Sequence, residues 1–198
     1  MSDRVRTAVL ISGTGSNMVA LAEAAQAPDY PADIVFVLSN RPDAPGLAKA
    51  QALGLETATV DHKTFRTRDA FDAALHAELA ARDIELVALA GFMRILTPAF
   101  TREWAGRMVN IHPSLLPKYK GLDTFRRALD AGDSEFGSTV HWVTEDLDAG
   151  TIIDQVALPV PENATPDDLA ALLKPAEHRL YPEALRTAAK SVRNERSA

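Results

Sequence analysis

The chain has 198 residues, 46% of them hydrophobic and 24% charged, with a formal net charge of −6. That length suits one large α/β domain, whose folding buries roughly 70% of the unfolded chain's surface without help from a disulfide or a metal. The acidic balance argues against a broad nucleic-acid-binding face, though a pocket for one phosphate is compatible with it, and the absence of cysteine excludes disulfides, thiolate metal sites and a cysteine nucleophile.

Residues 1–4 carry no apolar leader with a basic flank. The longest apolar stretches, 34–38 and 86–90, are too short to span a bilayer, so a soluble cytoplasmic protein is expected. Residues 7–12 (TAVLIS) form a short, mostly apolar run of the kind found in a buried parallel strand. A glycine-rich turn, Gly13-Thr14-Gly15-Ser16-Asn17, follows, and Met18, Leu21, Ala22 and Ala25 then recur at helical spacing. Residues 34–38 (IVFVL) predict a second strand, 45–53 a short helix stopped by Gly54, and 56–60 a third strand. After Lys63, the residues Phe71, Leu75 and Leu79 stand four apart on one face of a predicted helix. Residues 86–90 and 108–111 complete a set of buried strands. Strand and helix alternating at this spacing predict an α/β fold, a mostly parallel sheet with helices on both faces.

The second half reads differently. Residues 137–143 (GSTVHWV) alternate Val140 and Trp142 against Thr139 and His141, and residues 151–156 follow a turn at Asp148-Ala149-Gly150. So short a connection suits an antiparallel hairpin. Thr165-Pro166-Asp167-Asp168 opens a C-terminal helix, with threonine as N-cap, proline at the first helical position and acids in the first turn. Pro175 and Pro182 are expected to kink or break it. No repeat, linker or domain boundary divides the chain.

Three stretches combine residue types that carry chemistry. In residues 12–17 (SGTGSN), two glycines at a strand-to-helix turn let the backbone approach a ligand, and free amides at a helix start attract an anion. No Lys-Ser or Lys-Thr follows, so this is not a P-loop, and Met18 stands where the dinucleotide fingerprint needs its last glycine. A single phosphate of a mononucleotide suits the loop better than a pyrophosphate; a tight turn without a ligand is the alternative. In residues 108–117 (MVNIHPSLLP), Asn110 and His112 point to the same face of a strand. Such a histidine can take a proton from an attacking amine or, as imidazolium, donate to an oxyanion, and asparagine supplies a fixed N–H donor to the same oxygen. A histidine at a strand end is also often no more than a hydrogen-bonding residue. In residues 145–150 (EDLDAG), acids before a small-residue turn commonly only accept backbone bonds. Beside His112, however, Asp148 would favour the imidazolium and could order a water for proton transfer. His141 reads as a packed or hydrogen-bonded side chain. His62, His76 and His178 have no metal-site spacing, so no metal is expected. No serine or threonine sits in a nucleophile elbow. Direct attack by a substrate amine, without a covalent enzyme intermediate, agrees with this inventory.

The segments ISGTGSN at 11–17, LAGFMRIL at 89–96, NIHPSLLPKYKGL at 110–122, GSTVHWVTEDLDAG at 137–150 and EHRLYPEAL at 177–185, in this order, resemble the folate-dependent formyltransferases. NIHPSLLP marks the wider family, while SGTGSN and EHRLYP are similar to its branch acting on glycinamide ribonucleotide. The similarity runs from about Val9 to about Leu185. It implies one formyltransferase domain over 1–198, with a Rossmann-like mononucleotide-binding half at about 1–105 and a folate-binding, catalytic half at about 106–198. It implies transfer of a formyl group from the co-substrate 10-formyltetrahydrofolate to the amine of glycinamide ribonucleotide in de novo purine biosynthesis, with no metal, nucleic acid or membrane. Carried over by motif, Asn110, His112 and Asp148 are catalytic, and Gly15, Ser16, Asn17, Lys174 and Glu177 hold the ribonucleotide. Arg68, Met93, Arg94, Ile95, Leu96, Val143, Thr144, Glu145, Asp146 and Leu147 match positions around the folate.

The chain departs from that pattern where Asp123 and Phe125 flank Thr124 in place of histidines, and where Thr151 replaces a proline after Gly150. Pro175 also enters the helix beside Lys174 and Glu177. None of these touches the proposed trio. Two rival readings remain. A related formyl enzyme would act on another amine or hydrolyse formyltetrahydrofolate, and the hydrolase would be expected to carry an added N-terminal domain. A non-catalytic mononucleotide-binding module would keep the phosphate loop without turnover.

Overall fold

In the computed structural model, which describes residues 4–196, the first apolar run forms β1 (Val5–Ile11). Val5, Val9 and Ile11 enter one core cluster, and Ala8 and Leu10 enter another. Burial on both faces explains why this sequence lacks the polar alternation of a half-exposed strand. Gly15, at φ +67°, then turns the chain into α1 (Ser16–Ala24). Next come β2 (Ala32–Ser39), α2 (Pro45–Ala52), β3 (Glu56–Thr59), α3 (Arg68–Ala80) and β4 (Leu86–Leu89). The rest comprises α4 (Pro98–Glu103), β5 (Met108–His112), α5 (Thr124–Asp130), β6 (Glu135–Trp142), β7 (Ile152–Pro159) and α6 (Pro166–Arg196).

The strands make one seven-stranded sheet in the order β3-β2-β1-β4-β5-β6-β7. The first five in that order pair in parallel, and β6 and β7 are antiparallel. This is the α/β class expected, with its parallel core and antiparallel C-terminal portion. The order reverses at β1, which lies between β2 and β4. Open α/β sheets hold their ligands in the crevice such a reversal makes at the carboxyl ends of the strands.

Met18 and Leu21 of α1 pack on one side of the sheet with Tyr181, Leu185 and Val192 of α6. On the other side, Phe71, Leu75 and Leu79 of α3 lie in one cluster with Phe100 and Trp104, so the predicted apolar face of α3 is the buried one. Periodicity did not single out α4 or α5, which are too short to repeat. α4 nevertheless carries a start signal, with Thr97 accepting the Phe100 amide and Pro98 opening the first turn.

α6 begins as expected. The Asp168 amide donates to Thr165 Oγ1 at 3.3 Å and the Thr165 amide to Asp168 Oδ2 at 2.9 Å. It then runs as one continuous helix through Pro175 and Pro182, so of the expected kink or break the break does not occur. An interior proline costs a helix about 3 kcal/mol. Against this, α6 buries Leu169, Leu173, Leu180, Tyr181, Leu185 and Val192 along its length. At about 1.5–3 kcal/mol for each large apolar side chain, that burial outweighs both prolines. Among the described residues, no helix is long and apolar enough to cross a membrane.

Candidate active site

Loops at the carboxyl ends of β1 and β4 are pinned together by one buried serine. Ser12 Oγ accepts the Met93 amide at 2.7 Å and donates to Asn40 Oδ1 at 2.5 Å, while the Ser12 amide donates to Gly91 O at 3.1 Å. Gly15 is left-handed, and a Cβ there would lie 2.9 Å from Gly46 Cα. Glycine is therefore required for the backbone conformation and for the close approach of two chain segments. No side chain caps α1, which leaves its first-turn amides for an anion. Asn17 Nδ2 donates to Glu177 Oε2 at 3.0 Å, and Asn17 Oδ1 is buried without a partner among the described residues. The other Glu177 oxygen lies 2.9 Å from Ser138 Oγ, which in turn lies 2.9 Å from the His112 carbonyl.

Strand pairing builds the rest of the site. Asn110 faces His141, and His112 faces Thr139, across the antiparallel β5–β6 register. His112 is 6% exposed and Asp148 9%. His112 Nδ1 stands 3.4 Å from Asp148 Oδ2, and its Nε2 donates to the Tyr119 carbonyl at 2.9 Å, since a carbonyl can only accept. His141 Nδ1 likewise donates to the Trp142 carbonyl at 2.9 Å. Its Nε2 lies 3.3 Å from Asn110 Nδ2 and 3.6 Å from Asp148 Oδ1.

Asp148 holds a left-handed backbone at φ +48°, a conformation that costs a non-glycine residue on the order of 1 kcal/mol or more. Its Oδ2 accepts the Gly121 amide at 2.9 Å. Burial is the largest influence on this carboxyl and raises its pKa. The nearby His141 ring, the Gly121 amide and the charge of His112 together outweigh burial and hold it below the usual carboxylate value. At neutral pH Asp148 is thus an anion between two imidazoles.

Asn17, Asn110, His112, Asp148 and Glu177 therefore join one connected assembly, with Gly15 and Ser16 at its entrance. Apart from Arg68, which opens α3, the residues predicted around the folate lie on loops beside it. Met93, Ile95 and Leu147 are large, exposed apolar side chains, Arg94 and Leu96 are half-buried, and Val143 packs on the α3–α4 cluster. Thr144, Glu145 and Asp146 are exposed, and Glu145 pairs with Arg102 of α4 at 2.8 Å. Arg68 and Lys174 are not part of the assembly. Arg68 is exposed one helical turn before Asp72, whose Oδ2 accepts the Thr97 amide at 2.7 Å. Lys174 is exposed one turn before Glu177. Among the described residues, no group of three or more histidines and acids is arranged to hold a metal.

Ser12, Ser138 and the central place of His141 were not singled out in the sequence. The alternation around Val140 gave the face of His141, but not the register that sets it opposite Asn110. Phe125, where the family pattern has a histidine, is an apolar packing residue here, its ring edge-on to Phe136 with centroids 6.3 Å apart. Thr151 remains in the hairpin, its carbonyl accepting the Trp142 amide at 2.9 Å.

Residues 5–185 match the formyl transferase family. The chain is 46% identical to phosphoribosylglycinamide formyltransferase of Escherichia coli (strain K12), over 88% of this chain and 82% of that protein. It is 47% identical, over 93% of its length, to the trifunctional purine biosynthetic protein adenosine-3 of Chironomus tentans, but spans only 14% of that longer protein. The crystal structure of phosphoribosylglycinamide formyltransferase from Brucella melitensis aligns with a TM-score of 0.90 at 49% identity, covering 94% of this chain and 96% of that one.

Proposed function

Because the chain belongs to the formyl transferase family, we propose that it moves a formyl group from 10-formyltetrahydrofolate to the primary amine of glycinamide ribonucleotide, a step of purine biosynthesis. The substrate assignment is supported by the activity for which the Escherichia coli relative is named. The observation that carries the reading is the chain of contacts from Asn17 through Glu177 and Ser138 to the His112 carbonyl, with Asp148 beside the imidazole of the same residue. It connects a loop suited to one phosphate with a histidine–carboxylate pair suited to acyl transfer, so one small molecule bearing a phosphate and an amine engages both.

In this mechanism the amine nitrogen attacks the formyl carbon, and the carbonyl electron pair moves onto oxygen. Asn110 has two amide hydrogens, of which one faces His141, leaving the other for the oxyanion. His112 supplies a second donor by exchanging its bond to the Tyr119 carbonyl for the developing charge. Asp148, ionised, orients the ring and stabilises the imidazolium. Collapse of the intermediate restores the carbonyl and breaks the bond from the formyl carbon to folate nitrogen. The proton released by the attacking amine goes to that leaving nitrogen through a water, giving a formamide and tetrahydrofolate. The amides of Gly15, Ser16 and Asn17 hold the phosphate, Glu177 and Lys174 hold the rest of the ribonucleotide, and Met93, Ile95 and Leu147 cover the flat folate. The reaction needs neither metal nor nucleic acid, and its setting is the cytoplasm.

An absorbance assay with 10-formyltetrahydrofolate, run with and without glycinamide ribonucleotide, tests this reading. Folate release only in the presence of the amine is the expected result. Release without the amine would make the protein a hydrolase, and binding of the ribonucleotide without release would make it a non-catalytic module.

A further inference from the structure

The parallel pairing of β4 with β5 ends at Leu89 opposite Asn110. Beyond that point the strands diverge. β4 stays on β1, the Ala90 amide donating to Leu10 O at 2.9 Å, whereas β5 continues to His112 without a β4 partner. A donor placed on that last pair would therefore sit where the ladder gives way to the open strand end.

Tyr181 of α6 supplies one. The side chain is 0% exposed, and its hydroxyl donates to Leu89 O at 2.9 Å, with Val109 O at 3.5 Å. Val109 O belongs to the peptide group that continues into Asn110. A phenol has one hydrogen, so the bond goes to Leu89 and Val109 is a weak second acceptor. Burial raises the pKa of this phenol well above its usual value, which keeps it a donor at any working pH.

Tyr30 shows what an ordinary buried tyrosine does in the same core. Its hydroxyl donates to Pro182 O at 2.6 Å, securing a loop to the same turn of α6 without bonding β4 or β5. Tyr181, by contrast, bonds the last paired residue of the strand against which Asn110 rests. It also lies one turn along α6 from Glu177, so a single helix carries the substrate-side carboxylate and the hydroxyl at the strand fork.

We propose that Tyr181 is a positioning residue for formyl transfer, fixing the β4–β5 fork so that the Asn110 amide meets the oxyanion. This rests on the reading of Asn110 as an oxyanion donor. Tyr181 touches no reacting atom and acts through Asn110. A small displacement of that donor weakens the transition state more than substrate binding, because the full charge exists only in the former.

The test compares Tyr181→Phe with Tyr30→Phe, each lacking one buried hydroxyl, by kcat, by KM for both substrates and by thermal midpoint. Both variants should fold with lowered midpoints. Only Tyr181→Phe should lose kcat, by about tenfold, with both KM values within about twofold of the parent. In an Asn110→Ala background, Tyr181→Phe should cost little further turnover. Unchanged kcat in Tyr181→Phe, equal kcat loss in Tyr30→Phe, or a fully additive loss in the double variant would overturn the proposal. If Asn110→Ala itself turned over normally, the oxyanion reading would fall and take this proposal with it. A crippled Asn110→Ala beside a normal Tyr181→Phe would remove Tyr181 alone.

Discussion

Asn110 and His112 sit two apart on β5, yet their surroundings give them different parts. Asn110 is held by a neighbouring imidazole and cannot usefully titrate, whereas His112 is held at one nitrogen by a carbonyl and faces a carboxylate at the other. Replacing Asn110 with alanine should lower kcat by roughly 10²–10³, the usual cost of a lost oxyanion donor. His112→Ala should cost as much or more. Steady-state kinetics of the purified variants check both, and near-normal turnover in either would sink the assignment. Asp148 makes a prediction in pH. Its folded pKa lies below its unfolded value near 4. The stability it contributes is therefore present above that pH and lost as pH falls through the depressed folded value. Thermal midpoints between about pH 5 and pH 3 should fall less steeply in Asp148→Asn than in the parent. At this scale Asn110 and His112 were legible because one short motif holds them both. His141 and Ser138 were not, because their roles depend on strand register and on a helix far along the chain.

Among the elements, the turn from β1 into α1 is the one whose geometry leaves least freedom. Gly15 needs a left-handed φ, and the atom its Cβ would meet is the backbone of Gly46, which cannot rotate away. Gly15→Ala should destabilise the protein by about 1–3 kcal/mol and raise KM for the ribonucleotide more than it lowers kcat. Denaturant titration and kinetics of the same preparation check the two effects, and an unchanged KM would separate the loop from substrate binding. The strand–glycine–helix signature made this turn readable in the sequence, but its partner at Gly46 was not, since nothing local to residues 45–47 announces a contact. That the prolines of α6 do not break it has a similar reason. Local rules price a proline against an isolated helix, and α6 is held along most of its length by apolar side chains that the rest of the chain covers.

For the whole molecule, alternating strand and helix patterns announced the α/β class and the hairpin announced its antiparallel edge. The strand order, with β1 between β2 and β4, comes from packing across the sheet and has no local signature. α6 spans the division expected near residues 105 and 106: Leu169 and Leu173 pack with Phe136, while Leu185 and Val192 pack with Val5 and Met18. The segments on either side of it should therefore melt together. Trp104 is buried in the α3–α4 cluster, and Trp142 packs on the opposite one, so fluorescence samples both sides of the sheet. Its transition should coincide with that of circular dichroism, and two separated transitions would mean two independently stable halves.

The place of α6 also orders events during synthesis. The ribosome makes β1 before α6, so the side chains that complete the cover of one face, Tyr181 through Val192, are translated more than a hundred and fifty residues later. Until then Val9 and Ile11 lack part of their final cover, and no early folding of the nascent chain can finish the core. Exposed apolar strands of this kind aggregate or engage chaperones, so the hazard for this protein lies in the interval before its last helix arrives.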